Sequence, residues 1–195
     1  MKKIDYHFRK QALTGVDNEC GDIGVIKMYD TCCMMALVDV LGHGKEAFYV
    51  AIMAETYLLE NYKKNPVEII RGLHSHLEST RGAVADVCNL NLETGVLKYS
   101  GMGNISTKIM GNYPKRLTGK DGVLGYMIPS PIEQEAKLYS GDVLVLCSDG
   151  IKDHFDPIDF PDILLGSAGE ITDRFIDRLG KKNDDASCIA VRYGI

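Results

Sequence analysis

Four short acidic motifs constrain the fold of this chain more than any other feature. They are Cys20-Gly21-Asp22, Asp39-Val40-Leu41-Gly42-His43-Gly44, Ser148-Asp149-Gly150 and Asp184-Asp185-Ala186-Ser187. Each motif lies where a strand-like pattern meets a glycine-rich turn or a charged loop. Strands that lie side by side bring their ends together, so carboxylates that are distant in sequence can meet at one end of a sheet. We therefore expect the four motifs to form one site.

The residue types in these motifs predict the kind of ligand. Clustered carboxylates repel one another unless a cation lies between them. Hard oxygen ligands favour a hard divalent cation such as Mg²⁺ or Mn²⁺. The six cysteines contain no Cys-x-x-Cys spacing and lie mostly within apolar strand patterns, so we interpret them as packing residues of a reduced protein.

A hairpin is predicted between the first two motifs. Two apolar runs, at positions 23–29 and 32–40, are joined by Asp30-Thr31, which is typical of a tight turn. In an antiparallel hairpin the two free ends are neighbours. Asp22 and Asp39 should therefore lie side by side at the end opposite to the turn.

The order of the remaining elements predicts the fold class. A period-two pattern at 4–8 indicates a first strand, and helical periodicity is found at 47–62, 66–77 and 170–179. Further strands are predicted at 84–92, 96–101, 105–110, 132–139, 143–147 and 187–193. Strands and helices do not alternate as in βαβ units, so we expect an α+β protein with mainly antiparallel sheets and helices packed outside them.

Composition limits the class of protein, the number of domains and the kinds of ligand that the sequence allows. The 195 residues are 45% hydrophobic and 25% charged, as in an ordinary globular protein, and we expect residues 1–195 to form one domain. A net charge of −5 argues against nucleic acid as a ligand. No secretory pattern or apolar run of about 18 residues is present, so we expect a cytoplasmic protein without membrane contact.

The ordered set of motifs resembles the PPM family of metal-dependent serine/threonine phosphatases, in the bacterial branch of the sporulation stage II E phosphatase, RsbU and RsbX. Arg81-Gly82-Ala83 before a strand, and the run Ser100-Gly101-Met102-Gly103-Asn104, also match that branch. The similarity covers nearly the whole chain, from Asp22 to Tyr193. The short stand-alone members of the RsbX type resemble it most.

This resemblance implies an αββα sandwich, with two antiparallel sheets between helices. It also implies two Mn²⁺ or Mg²⁺ ions, with a third possible. Asp39 would bridge both ions, Asp22 and the carbonyl of Val40 would complete one, and Asp149 and Asp184 would hold the other. Two cations ~3.5–4 Å apart lower the pKa of a water molecule, which then attacks phosphorus without a covalent enzyme intermediate.

Two assignments stay open at this point. Adjacent residues of an extended segment face opposite ways, so only one of Asp184 and Asp185 can face the ions, and the family pattern favours Asp184. His43 lies four residues after Asp39, whereas eukaryotic members of the family carry a histidine two residues after it, at the position of Leu41. We favour a positioning role for His43 over a role as general acid.

Other positions near the motifs are candidates for substrate contact. Lys45 and Arg81 are candidates for binding the phosphoryl group, although exposed cations are mostly surface residues. Positions 111–131 contain four glycines and three prolines. We expect a surface loop there, with a flap beside the site as the alternative.

The resemblance also implies a substrate class. Proteins of the RsbX type act on phosphorylated scaffold proteins of the bacterial stressosome, which contain sulfate-transporter-and-anti-sigma-antagonist (STAS) domains. Phosphorylated STAS-domain proteins are therefore the expected partners. The alternative is a catalytically inactive phosphatase fold that binds a signalling partner, although such a protein would not need four clustered aspartates.

Overall fold

The computed structural model describes residues 3–16, 19–154 and 159–195. These residues form three helices, α1 (Lys45–Asn61), α2 (Pro66–His76) and α3 (Ala168–Leu179). They also form ten strands, which are β1 (Ile4–Gln11), β2 (Asp22–Tyr29), β3 (Cys32–Val40), β4 (Ala83–Asn91), β5 (Val96–Met102), β6 (Ser106–Met110), β7 (Lys115–Leu117), β8 (Gln134–Lys137), β9 (Val143–Cys147) and β10 (Ala186–Tyr193). None of the described helices is long and apolar enough to cross a membrane.

The strands form two five-stranded sheets. The hairpin sheet has the order β2-β3-β4-β5-β8, and the terminal sheet has the order β1-β10-β9-β6-β7. Every neighbouring pair in both sheets is antiparallel. Sequence reasoning therefore predicted the sheet type correctly from the order of the elements.

Three apolar layers hold the elements together. One lies between the hairpin sheet and helices α1 and α2, with Leu58 and Leu73 fully buried in it. A second fills the space between the sheets, where Leu37 of β3 belongs to the same cluster as Leu146 of β9. The third lies between the terminal sheet and α3 and includes Phe175. The layer order is helices, sheet, sheet, helix, which confirms the predicted αββα sandwich.

Local sequence explains where two of the helices begin. Asn65 accepts a hydrogen bond from the backbone N–H of Glu68, whose side chain in turn accepts one from the backbone N–H of Asn65. Ser167 and Glu170 form the same reciprocal arrangement before α3. Such capping boxes satisfy N–H groups that have no partner inside the helix, and this fixes the first turn.

The predicted hairpin is present, and two strand predictions need correction. Sequence reasoning treated 111–131 as a loop throughout, but Lys115–Leu117 forms β7 at the edge of the terminal sheet. A strand of three residues with two exposed charged side chains is too short to show period-two alternation. The strand expected at 132–139 is shorter, Gln134–Lys137, and pairs only with β5 at the edge of the hairpin sheet.

The remainder of the 111–131 segment packs beside the ends of β4 and β5. The backbone of Lys120 exchanges hydrogen bonds with Gly101 and Gly103, at 3.1 and 2.8 Å. Leu124 and Ala83 exchange two more, at 2.8 and 3.2 Å. These bonds place positions 121–123 next to the beginning of β4, where Ala83 pairs with Val40 of β3, the residue after Asp39.

Candidate metal centre

The hairpin brings Asp22 and Asp39 together. Asp22 is the first residue of β2, Asp39 is the penultimate residue of β3, and the two are direct partners in the ladder. Directly opposed residues on antiparallel strands point to the same face, with Cβ atoms about 4.5–5.5 Å apart. The carboxyl group of Asp22 is buried, with 1% of the residue exposed. Two acidic side chains therefore lie side by side at the end of the hairpin sheet.

A cavity of about 390 Å³ opens beside this pair. Its walls include four of the five predicted ligand residues, which are Asp39, Val40, Asp149 and Asp184. The fifth, Asp22, is the direct ladder partner of Asp39 and is not part of the cavity wall. The structure thus brings the predicted residues into one region, with Asp22 as the buried member.

Asp149 comes from the terminal sheet, in the turn that follows β9. Gly150 allows this turn to lie against the beginning of β10, because a Cβ atom at position 150 would lie 1.8 Å from the backbone carbonyl oxygen of Asp185. The Ser148-Asp149-Gly150 motif therefore reflects close backbone packing as well as chemistry. Asn104, at the end of the loop after β5, donates its side-chain N–H to Oδ2 of Asp149 at 2.9 Å and fixes that carboxylate.

Asp184 and Asp185 have different surroundings. Asp184 lines the cavity, and its Oδ1 accepts the backbone N–H of Asp185 at 2.9 Å. Asp185 is buried and accepts the backbone N–H groups of Leu13 and Gly21, both at 2.7 Å. Asp185 thus uses both carboxylate oxygens to hold the segment that leads into Asp22. Only Asp184 faces the cavity.

Burial and mutual repulsion perturb the acidic cluster. Burial first, and then the charges of Asp22, Asp149, Asp184 and Asp185, raise the pKa of Asp39 far above its ordinary value. Each carboxylate in the cluster therefore makes ionisation of its neighbours less favourable.

The same effects act on two further members of the cluster. Burial is also the largest cause that raises the pKa of Asp22, and the nearby hydroxyls of Ser187 and Ser148 oppose that rise. Burial and the charge of Asp149 raise the pKa of Asp184. Ionised carboxylates held together in this way require a neutralising partner.

Two residues of the cavity wall were missed as site residues by sequence reasoning. Asn104 was noted only as part of a family-like run, yet it contacts Asp149 directly. Asp121 lies in the segment treated as a loop and adds a fourth carboxylate to the cavity wall. Only the Gly103-Asn104 turn carried a signal, because an asparagine directly after a strand-ending glycine is a typical position for a polar contact.

His43, Lys45 and Arg81 are absent from the cavity wall. Arg81 packs on the backbone of the glycine turn, where its NH1 group donates to the carbonyl of His43 at 3.5 Å. The same group lies 3.9 Å from Glu46. A Cβ atom at Gly42 would lie 3.1 Å from the guanidinium of Arg81, and Gly42 has a φ of 81°, a conformation that favours glycine. The structure therefore places Arg81 as a support of the turn after Asp39.

The donor set fits hydrated divalent cations. Both carboxylate oxygens of Asp22 are buried, and the hydroxyls of Ser187 and Ser148 lie near them. Across residues 3–16, 19–154 and 159–195, no three acidic, histidine or cysteine side chains meet closely enough to complete a coordination shell. Mg²⁺ commonly takes only one or two carboxylates and keeps several water ligands. A buried carboxylate beside a partly open acidic cavity is compatible with such an ion.

Solved structures with the same architecture define the class. One, described as "The bacterial stressosome: a modular system that has been adapted to control secondary messenger signaling", matches with a TM-score of 0.89 and 27% identity over 98% of this chain and 100% of that chain. RsbX in complex with magnesium matches with a TM-score of 0.83 and 20% identity, over 97% of this chain and 95% of that chain. A structure of the PP2C phosphatase domain and a fragment of the regulatory domain of SpoIIE from Bacillus subtilis matches with a TM-score of 0.80 and 19% identity. The match covers 98% of this chain and 63% of that chain. The fold is that of the PP2C-type, or PPM, protein phosphatases.

The family follows from the sequence itself. Residues 29–194 match the family described as Stage II sporulation protein E (SpoIIE). Since this match covers most of the 195 residues, the chain belongs to that family. No curated protein matches the chain. The resemblance that the four acidic motifs indicated is therefore confirmed.

Proposed function

We propose that this protein is a Mn²⁺- or Mg²⁺-dependent phosphatase that removes phosphate from phosphoserine and phosphothreonine in proteins. The observation that carries the proposal is the Asp22–Asp39 pair, in which a buried carboxylate that forms no ion pair with a described residue lies directly opposite a second one beside a cavity. A protein that only binds a partner gains nothing from burying uncompensated charge, which costs stability.

The ligand assignment that we propose follows the positions of the carboxylates. Asp39 would contact two ions, Asp22 and the carbonyl of Val40 would complete one, and Asp149 and Asp184 would hold the other. A third ion is compatible with the acidic cavity wall. When bound, such ions supply charge neutralisation of the phosphoryl group and an activated water molecule as nucleophile.

The other residues of the site have supporting tasks. Asp185 holds the backbone of Gly21 and so fixes the approach to Asp22, while Asn104 orients Asp149. The cavity wall is formed by Asp39, Val40, Leu41, Gly42, Val84, Gly103, Asn104, Asp121, Gly122, Val123, Asp149 and Asp184. Among these described residues there is no serine, threonine, cysteine or histidine. Three of the four aspartates in the wall are assigned to the ions, so we infer a water nucleophile instead of a covalent enzyme intermediate.

We further propose that the substrates are phosphorylated STAS-domain proteins. The family match and the similarity to a structure described with the bacterial stressosome support this choice. A folded substrate would use contacts outside the cavity to orient its phosphoryl group, and such remote binding energy is lost in short peptides. Intact phosphorylated STAS proteins should therefore have a higher kcat/KM than peptides copied from their phosphorylation sites.

Phosphate release with Mn²⁺, with Mg²⁺ and with a chelator tests the reaction class. We expect cation-dependent turnover of phosphoserine and phosphothreonine proteins, and loss of turnover in Asp39→Ala. Asp30→Asn is the matched control, because Asp30 lies in the turn at the opposite end of the same hairpin and asparagine tolerates its φ of 47°. β2 has eight residues, so this control lies roughly 25 Å from the site.

The outcomes separate the proposal from its alternative. Full activity of Asp39→Ala, or equal activity with and without the chelator, would refute the ligand assignment. Absence of turnover on every phosphoprotein, together with tight binding of an unphosphorylated STAS protein, would favour the inactive binding module. Good activity restricted to phosphotyrosine or nucleotides would refute the substrate class.

A further inference from the structure

A second cavity lies directly beside the metal centre. It has a volume of about 440 Å³, close to the 390 Å³ of the first cavity. Asn104 and Asp149 line both cavities, and the hydrogen bond between them forms part of the shared wall. A chain segment whose phosphorylated residue enters the first cavity could therefore place a neighbouring residue in the second.

One wall of this second cavity is a rigid cluster around Asp153. Its Oδ1 accepts from Ser106 Oγ at 2.5 Å and lies 2.8 Å from Lys108 Nζ, while its Oδ2 lies 2.6 Å from Arg116. Burial alone would raise the pKa of the Asp153 carboxyl. Hydrogen bonds from its three neighbours, Lys108, Ser106 and Arg116, outweigh burial and hold this pKa well below its usual range. Two cations surround one carboxylate, so the cluster carries one surplus positive charge.

Two further cations, Lys152 and Lys181, also line the cavity. The backbone N–H of Lys152 donates to the carbonyl of Leu179 at 2.9 Å, and that of Lys181 donates to the carbonyl of Gly150 at 2.7 Å. Their backbones are therefore fixed next to each other on two neighbouring segments. Both side chains are exposed, and neither ammonium group forms an ion pair within the part of the chain that the structure describes.

The balance of charge in this cavity differs from that of the whole protein. The chain has a net charge of −5, yet the cavity presents Arg116, Lys152 and Lys181 against Asp149 and Asp153. Asp153 is already paired, and Asp149 belongs to the proposed metal centre. The ammonium groups of Lys152 and Lys181 are thus available to an anionic ligand, and a local patch of one sign attracts and orients a partner of the opposite sign.

We propose that this second cavity, which we call the flanking groove, binds acidic side chains that lie next to the phosphoserine or phosphothreonine of a protein substrate. The inference rests on the proposed phosphatase function, because the groove is defined by its shared wall with the phosphoryl site. It adds a specificity determinant that the metal centre lacks, namely a preference for aspartate or glutamate beside the scissile phosphate.

The test compares two phosphopeptide series that differ only in charge near the phosphoserine. One series carries three aspartates, placed before or after the phosphoserine, and the other carries asparagines at the same positions. Two exposed lysines that each form an ion pair with the peptide should give roughly a 2- to 30-fold higher kcat/KM for the better acidic series. The preference should decrease as salt is raised, because salt screens exposed charges.

Charge reversal identifies the groove as the source of this preference. The double variant Lys152→Glu/Lys181→Glu should lose or invert the ratio of the two kcat/KM values, and Lys152→Gln/Lys181→Gln should reduce it. The matched control is Lys63→Glu/Lys64→Glu, which changes the same number of charges after the far end of α1, a 17-residue helix that extends ~25 Å from the site. The control should keep the wild-type ratio.

Failure of the groove and failure of the phosphatase function give different results. If the wild type hydrolyses p-nitrophenyl phosphate with Mn²⁺ but shows equal kcat/KM for both peptide series, the flanking groove is refuted. If it hydrolyses neither, the phosphatase function is refuted, and fluorescence anisotropy of the same peptides then tests the groove alone. If wild type and Lys152→Glu/Lys181→Glu bind the acidic peptide with equal affinity in the anisotropy experiment, the flanking groove is refuted.

Discussion

Asp86 provides a test of how the core between the two sheets is built. It lies on β4, is fully buried, and its Oδ2 accepts a hydrogen bond from Thr107 at 2.6 Å. Its Oδ1 and the Tyr99 hydroxyl both lie beside Gly101. Burial raises the pKa of Asp86 to about 7, even though hydrogen bonding to Thr107 and Tyr99 lowers it. We predict that Asp86→Asn stabilises the protein increasingly as the pH rises.

The magnitude follows from the difference between the folded and unfolded pKa values. An increase from the ordinary value of 3.8 to about 7 makes the folded state bind more protons than the unfolded state between these values, so stability decreases as the pH rises through that window. At ~1.36 kcal/mol per pKa unit, the full penalty is about 4 kcal/mol above the folded pKa. The destabilisation of the folded state by ionised Asp86 should be about 2 kcal/mol larger at about pH 8.5 than at about pH 5.5. Asparagine stays neutral at every pH, so the variant does not bury a charge at this position.

Urea unfolding of the wild type and Asp86→Asn at both pH values measures this difference. The stability gain from the substitution should grow by about 2 kcal/mol between them. Asp142→Asn is the matched control, because Asp142 is also buried but accepts backbone N–H groups of Tyr139 and Asn112. It should destabilise the protein at both pH values. A difference between wild type and Asp86→Asn that does not change with pH would refute the argument.

Three further predictions concern the metal centre. Asp185→Asn should weaken Mn²⁺ binding about 10- to 100-fold in titration calorimetry, because Asp185 holds the backbone of Gly21, and unchanged affinity would exclude this role. His43→Gln should lower kcat only modestly and keep the shape of the pH profile, whereas a ~10²–10⁴-fold loss would identify His43 as a general acid. Mn²⁺ at about 100 times its Kd should raise the free energy of unfolding by about 2.7 kcal/mol for each bound ion, and Asp39→Ala should remove that gain in the same unfolding assay.

The sequence predicted the fold where local signals agreed with long-range packing. The hairpin of β2 and β3 was predicted because two apolar runs flank a two-residue turn, and the ladder then places Asp22 opposite Asp39. β7 was missed because only Leu117 of its three residues is buried. The pairing of β9 with both β6 and β10 depends on contacts between distant segments, which no local pattern encodes.

The candidate site was predictable at the level of motifs but less so at the level of contacts. Asp39, Val40, Asp149 and Asp184 line one cavity, as motif order suggested. The roles of the supporting residues depend on hydrogen bonds between segments that are far apart in the chain. Asp185 reaches Leu13 across 172 positions and Gly21 across 164, and periodicity cannot reveal such contacts.

The site joins the two sheets, and this links its chemistry to the stability of the sandwich. Asp22 and Asp39 belong to the hairpin sheet, whereas Asp149 follows β9 and Asp184 precedes β10 in the terminal sheet. Asp185 adds a direct connection, since it accepts the N–H that precedes Asp22. Any displacement of one sheet relative to the other would separate these carboxylates. Cations held between them would therefore stabilise the packing of the sheets, and close packing of the sheets would in turn preserve the geometry that cation binding requires.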